Sequence, residues 1–140
     1  MGDVIEVKAL LDEALALGLS GVEHCARVPI ETLAANYNGI GPEWMPKSFR
    51  EKLSAKLATF APATLIHDQR FAESDGSTLG FNQANEELEA NCLAIADAKH
   101  AWYSPLRYFA RRVAVRIADV CRLFGWVAWM DAFRARSRQR

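Results

Sequence analysis

His67 and Asp68 stand side by side in "LIHDQRF" (65–71), twenty-six residues after the second glycine of "NYNGIGPEW" (36–44). These residue types suit two kinds of chemistry. A histidine facing a cleft is a general base for water, since its free pKa lies close to neutrality. A carboxylate can hold a hard cation such as calcium, which takes about six to eight oxygens, many of them backbone carbonyls. Converging several carbonyls on one point requires unusual dihedrals, and a loop carrying Gly39 and Gly41 supplies them. On a helix, neighbours project about a hundred degrees apart, so His67 and Asp68 are expected to serve different partners.

The order Tyr37-x-Gly39-x-Gly41, then His67-Asp68-x-x-Phe71, resembles the phospholipase A2 superfamily, whose signature is a Y-x-G-x-G loop, an H-D-x-x-Y helix and a second helix bearing an aspartate. The resemblance covers roughly residues 36–97. It implies calcium held by the main-chain carbonyls of Tyr37, Gly39 and Gly41 and by the carboxylate of Asp68. It also implies that His67 activates the water that attacks a phospholipid ester, with the Gly39 amide and the metal stabilising the oxyanion. Two positions depart from the pattern. Phe71 replaces a tyrosine, and Asn85, in "ANEEL", stands where an aspartate would orient the histidine. An amide can accept a hydrogen bond from the ring but brings no charge to an imidazolium. The "GP" after the loop and the unpaired cysteines look more like viral and microbial members, phage-encoded ones included, than secreted animal ones. Because of Phe71 and Asn85, a non-catalytic structural or interaction module that keeps the scaffold is the second expectation.

Each of these residues also has a plainer reading from its type alone. The 36–46 stretch serves equally as a glycine-capped turn between helices, and His67 as a partly buried ring bonded to a backbone carbonyl. Asp68 could pair with Arg70 or Lys56. Asn85 and Asn91 lie among apolar neighbours and need partners if buried, beside His67 or elsewhere in the core. His24, Cys25, Cys92 and His100 have no zinc-ligand spacing.

The elements that must position this constellation read as helices. Residues 3–17 place apolar side chains at helical spacing before Gly18 and Gly21, and "PIETLAANY" allows a short helix opened by Pro29. A helix from Ser48 runs to Phe60, and Pro62 interrupts it or opens the next one, which bears His67. "ESDGSTLG" (73–80) reads as a turn or a short hairpin, followed by a long helix from near Asn82. After "WYSP" one helix is expected over about 106–133. There Leu106, Ala110, Val113, Ile117, Val120, Phe124 and Val127 step by four and three, which suits a helical hairpin, a coiled coil or an oligomer. The last seven residues, "RARSRQR", read as disordered. The fold class is thus mostly α, a small helical domain with a glycine loop and an antiparallel helix pair, with one short β-hairpin allowed. Its 140 residues form a single domain, with N-terminal helices in 1–35, a phospholipase A2-like core in 36–100 and a basic amphipathic helix in 101–140.

Charge is balanced in total, 17 basic against 17 acidic groups, but not along the chain. Residues 101–140 hold nine arginines against Asp119 and Asp131, or +7, leaving 8 basic and 15 acidic groups, or −7, in residues 1–100. With Trp126, Trp129, Phe124 and Phe133 among the arginines, the basic end could lie on phospholipid or another anionic membrane surface. Scattered basic residues and aromatics on the apolar side argue against nucleic acid. Three cysteines form no disulfide framework and suit a reducing compartment. The acidic first twenty residues lack a signal peptide's pattern, and "LFGWVAWM" is too short to span a bilayer. A cytoplasmic protein is expected, with association to a virion also open.

Overall fold

A computed structural model describes residues 2–38, 46–48, 51–52 and 57–140. The described residues are helical, without strands. The α-helices whose bounds lie among the described residues are, in order, α1 (Val4–Leu17), α2 (Val22–Ala26), α3 (Ile30–Asn36), α4 (Ala61–Ala72), α5 (Thr78–Lys99), α6 (Pro105–Phe124) and α7 (Trp126–Arg138), with a 3-10 turn at Ala58–Phe60 leading into α4.

Local chemistry sets several of these boundaries. The Asp3 carboxylate accepts from the Ile5 amide and caps α1, which ends where Gly18 enters the left-handed region at φ 63°. Pro62 lies in the first turn of α4, where a proline costs no hydrogen bond. The hairpin allowed for 73–80 does not form. The Asp75 carboxylate instead accepts from both the amide and the hydroxyl of Ser77, while the Ser77 hydroxyl accepts from the Gly80 amide. That capping starts α5 at Thr78, four residues earlier than the sequence suggests. The single C-terminal helix expected over 106–133 is two helices, because the chain breaks at Gly125. Nor is the tail irregular at once, since α7 continues to Arg138. The Arg136 guanidinium donates to the carbonyls of Glu73 and Ser74 and ties α7 to the end of α4.

α4 occupies the centre. Ala61, Pro62, Ala63, Thr64, Leu65, Ile66, His67 and Gln69 are all buried, so the helix has almost no solvent face. It packs on α5 and touches α1, α3 and α7, while α6 lies along α5. Leu65 and Ile66 join Val7, Leu33, Leu88 and Ile95 in the main core, each burial stabilising by roughly 1.5–3 kcal/mol. A smaller aromatic core of Phe81, Trp129 and Phe71 sits at the turn between α4 and α5.

Candidate functional site: a buried histidine at the α4–α5 crossing

α4 and α5 run in opposite directions about a turn centred on Gly76. Phe71 meets Phe81 near the turn, with ring centroids 6.0 Å apart, and further from the turn His67 meets Asn85. The His67 Nε2 lies 2.9 Å from the Asn85 Oδ1. An amide oxygen can only accept, so Nε2 donates and the neutral ring keeps its free lone pair on Nδ1. Phe71 lies against the ring at 4.3 Å between centroids and in turn meets Trp129 edge-on at 5.2 Å. The indole N–H of Trp129 donates to the Ser77 carbonyl, which locks the aromatic group to the turn.

His67 is 7% exposed and Asn85 is fully buried. Among the described residues the Asn85 Nδ2 has no hydrogen-bond partner, an orphaned buried donor that costs on the order of 1–3 kcal/mol. One end of this amide is therefore committed to the histidine while the other is unmatched. Asn91, the second buried amide of α5, is fully used: its oxygen accepts from the Ser20 amide and its nitrogen donates to the Ser20 carbonyl, which fastens the α1–α2 turn to α5.

Asp68 lies nearer to His67 than helical geometry alone suggests. Its Oδ1 is 3.9 Å from His67 Nδ1, too long for a hydrogen bond. Its Oδ2 accepts from the Asn38 backbone amide at 2.9 Å, so the carboxylate anchors the chain just after α3. Arg70, one partner considered for Asp68, is instead held by Glu87 at 3.0 Å.

This anchoring bears on the calcium ligands that the resemblance implies. Gly39 and Gly41 lie outside the described residues. The Tyr37 carbonyl belongs to the same trans peptide as the Asn38 N–H, and the two point in opposite directions. With the amide aimed at Asp68, that carbonyl is turned away from it. The Tyr37 ring is buried in the main core, and desolvation pushes its phenol up to about 12, so it anchors the chain as a neutral group. Among the described residues no three His, Cys, Asp or Glu side chains come together as a metal site. Of the calcium ligands that the resemblance implies, Tyr37 and Asp68 are thus the two among the described residues.

A second polar network runs through Asn36, Gln69, Glu73 and His24. The Asn36 side chain donates to Gln69 at 3.0 Å, Gln69 donates to Glu73 at 2.6 Å, and the other Glu73 oxygen meets His24 Nε2 at 2.7 Å. It joins α3, α4 and α2. Its only signal in the sequence is the Gln69–Glu73 spacing of four.

Together these elements define a small helical domain built around a buried histidine–amide pair at a helix crossing. Compared with protein-family models, with curated proteins and with solved structures, the chain matches none.

Proposed function

We propose that the protein is an ester hydrolase of the phospholipase A2-like kind, with His67 as its general base. The observation that carries this reading is the 2.9 Å contact between His67 Nε2 and Asn85 Oδ1, because it leaves Nδ1 as the basic nitrogen. Nδ1 would take a proton from water as that water attacks the ester carbonyl, and would later return it to the leaving alkoxide. Asn85 holds the ring in one tautomer without charge. The charge that steadies the imidazolium comes in this reading from Asp68, 3.9 Å from Nδ1. Asp68 is also the one described carboxylate that calcium would use.

The test is hydrolysis of phospholipid and of a soluble short-chain ester by wild type and His67→Ala, each across a calcium series, with helix content checked by circular dichroism. Activity that requires His67 supports the proposal. Equal activity in both proteins, or none at any calcium concentration, overturns it.

The second reading is a non-catalytic interaction module, and the unpartnered Asn85 Nδ2 favours it. In that case the histidine–amide pair serves to fix the pairing of α4 with α5, as buried polar pairs do elsewhere. A well-folded protein without esterase activity whose stability falls on His67→Ala would support it.

A further inference from the structure

α6 uses little of its apolar surface within the molecule. Only the small side chains Ala114 and Ala118 are fully buried where it packs on α5. Leu106, Phe109, Val113, Val120 and Phe124 follow at steps of three, four, seven and four, so they share one stripe beside that contact. The stripe faces outward: Leu106, Phe109 and Phe124 are 61%, 61% and 64% exposed. Trp102 and Tyr103, both exposed, precede it in the turn after α5. A contiguous apolar face of this kind marks an interaction surface.

The charges around α6 indicate what covers it. Arg107 and Arg111 are paired with Asp97, and Arg122 with Glu89 and Asp119. Arg112 and Arg116 are exposed on the outer margin of the stripe and form no ion pair among the described residues; Arg112 lies over the Tyr108 ring at 5.8 Å. The free cations thus border the apolar stripe, in a segment carrying nine arginines against two aspartates. A second copy docked on this face would bring two such basic segments together. An anionic surface would instead neutralise them while taking up the apolar side chains, and exposed tryptophan and tyrosine suit a water–hydrocarbon boundary.

We infer that the α6 stripe, bordered by Arg112 and Arg116, is a docking face for an anionic lipid bilayer, on which the helix lies in the plane of the headgroups. No described helix is long and apolar enough to cross a membrane, which leaves lying on the surface as the mode of contact. The inference goes beyond the hydrolytic reading and stands if that reading fails.

Flotation with ether-linked vesicles, which an esterase cannot consume, provides the test. Wild type should float with vesicles containing phosphatidylglycerol and bind phosphatidylcholine vesicles at least about tenfold more weakly. Phe109→Asp and the double variant Arg112→Glu/Arg116→Glu should each lower anionic binding by about tenfold or more. These positions are exposed, so circular dichroism should match wild type. Hydrolysis of a soluble ester by the same variants reports on the His67 site separately. Absence of wild-type binding to anionic vesicles overturns the inference, as does unchanged binding by either variant. A dimer in sedimentation equilibrium that Phe109→Asp dissociates, with no vesicle binding, assigns the stripe to a second copy instead.

Discussion

Asn85 offers its oxygen to His67 Nε2 at 2.9 Å and leaves its own nitrogen without a partner among the described residues, although the residue is completely buried. A carboxylate would have accepted the same bond without an orphaned donor. The amide therefore sets the histidine tautomer and contributes no charge to it.

Asn85→Asp tests what that charge is worth. If His67 is a base, the new carboxylate would stabilise the imidazolium formed in the transition state, and kcat should rise by about tenfold or more. Asn85→Ala leaves the ring N–H unsatisfied but also removes the orphaned Nδ2, so thermal unfolding should show a loss of at most about 1–3 kcal/mol. A kcat for Asn85→Asp at or below wild type, in a protein of wild-type helix content, would count against the catalytic role of the pair.

Gly80 gives a prediction whose sign runs against helix propensity. Alanine in place of glycine within a helix ordinarily stabilises by about 1 kcal/mol. Here an added Cβ would fall 2.6 Å from Asp75 Oδ1 and 2.9 Å from Trp129 Cζ2. The carboxylate is held by Ser77, and the indole is fixed between the aromatic core and the Ser77 carbonyl. Gly80→Ala should therefore lower the urea midpoint, by about 1–2 kcal/mol of stability. A variant as stable as wild type would show that Trp129 can move.

Asp97 links α5 to α6 through Arg107 at 2.8 Å and Arg111 at 2.7 Å. The Arg111 hydrogen bond, then that of Arg107, holds its carboxyl below the 3.8 of a free aspartate. A depressed acid contributes stability above its unfolded pKa and loses it as pH falls through the folded one. The contribution of Asp97 should thus be complete at pH 5 and shrink as pH falls below about 4. A wild-type minus Asp97→Asn difference in denaturation midpoint that does not shrink over that range would contradict the pairing. The effect should be modest and weaken with salt, because the groups are partly exposed.

Residues at helix boundaries show what the sequence could reveal. Asp3, Gly18 and Ser104 act through their nearest neighbours, and the α1 and α6 starts are legible from them. The hairpin considered at 73–80 fails for a local reason too, since Asp-Gly-Ser also builds the cap that Asp75 and Ser77 form. The break at Gly125 is hidden because the apolar steps through Phe124 and Val127 keep their period across it. Order in the arginine-rich tail depends on Arg136 reaching carbonyls more than sixty residues away, which no local pattern encodes. The His67–Asn85 contact lies between these cases. Both residues are nine positions from Gly76, so an antiparallel pair of helices turning there brings them level, but the direction of each side chain depends on the packing of α4 on every side.

The three thiols yield a prediction that also bears on function. Burial pushes Cys25 and Cys121 up to about 11 and Cys92 up to about 12, from an ordinary 9.0. Desolvation is the leading cause at each, and the nearby Arg70 and Arg122 only partly offset it at Cys25 and Cys121. Nucleophilic and metal-binding cysteines need the thiolate, which these raised values disfavour at neutral pH. Near pH 8 the native protein should hold about a hundredfold less thiolate at Cys25 than the unfolded chain, and react with a disulfide reagent correspondingly slowly. The same shifts have a linkage consequence. A thiol whose folded pKa is raised contributes stability below its unfolded value of about 9, and loses it as pH rises towards the folded values near 11 and 12. The urea midpoint should therefore fall between pH 9 and 11, and fall less steeply in a Cys92→Ala variant. Fast labelling of the native protein, with urea giving no acceleration, would show that the thiols are not buried as described.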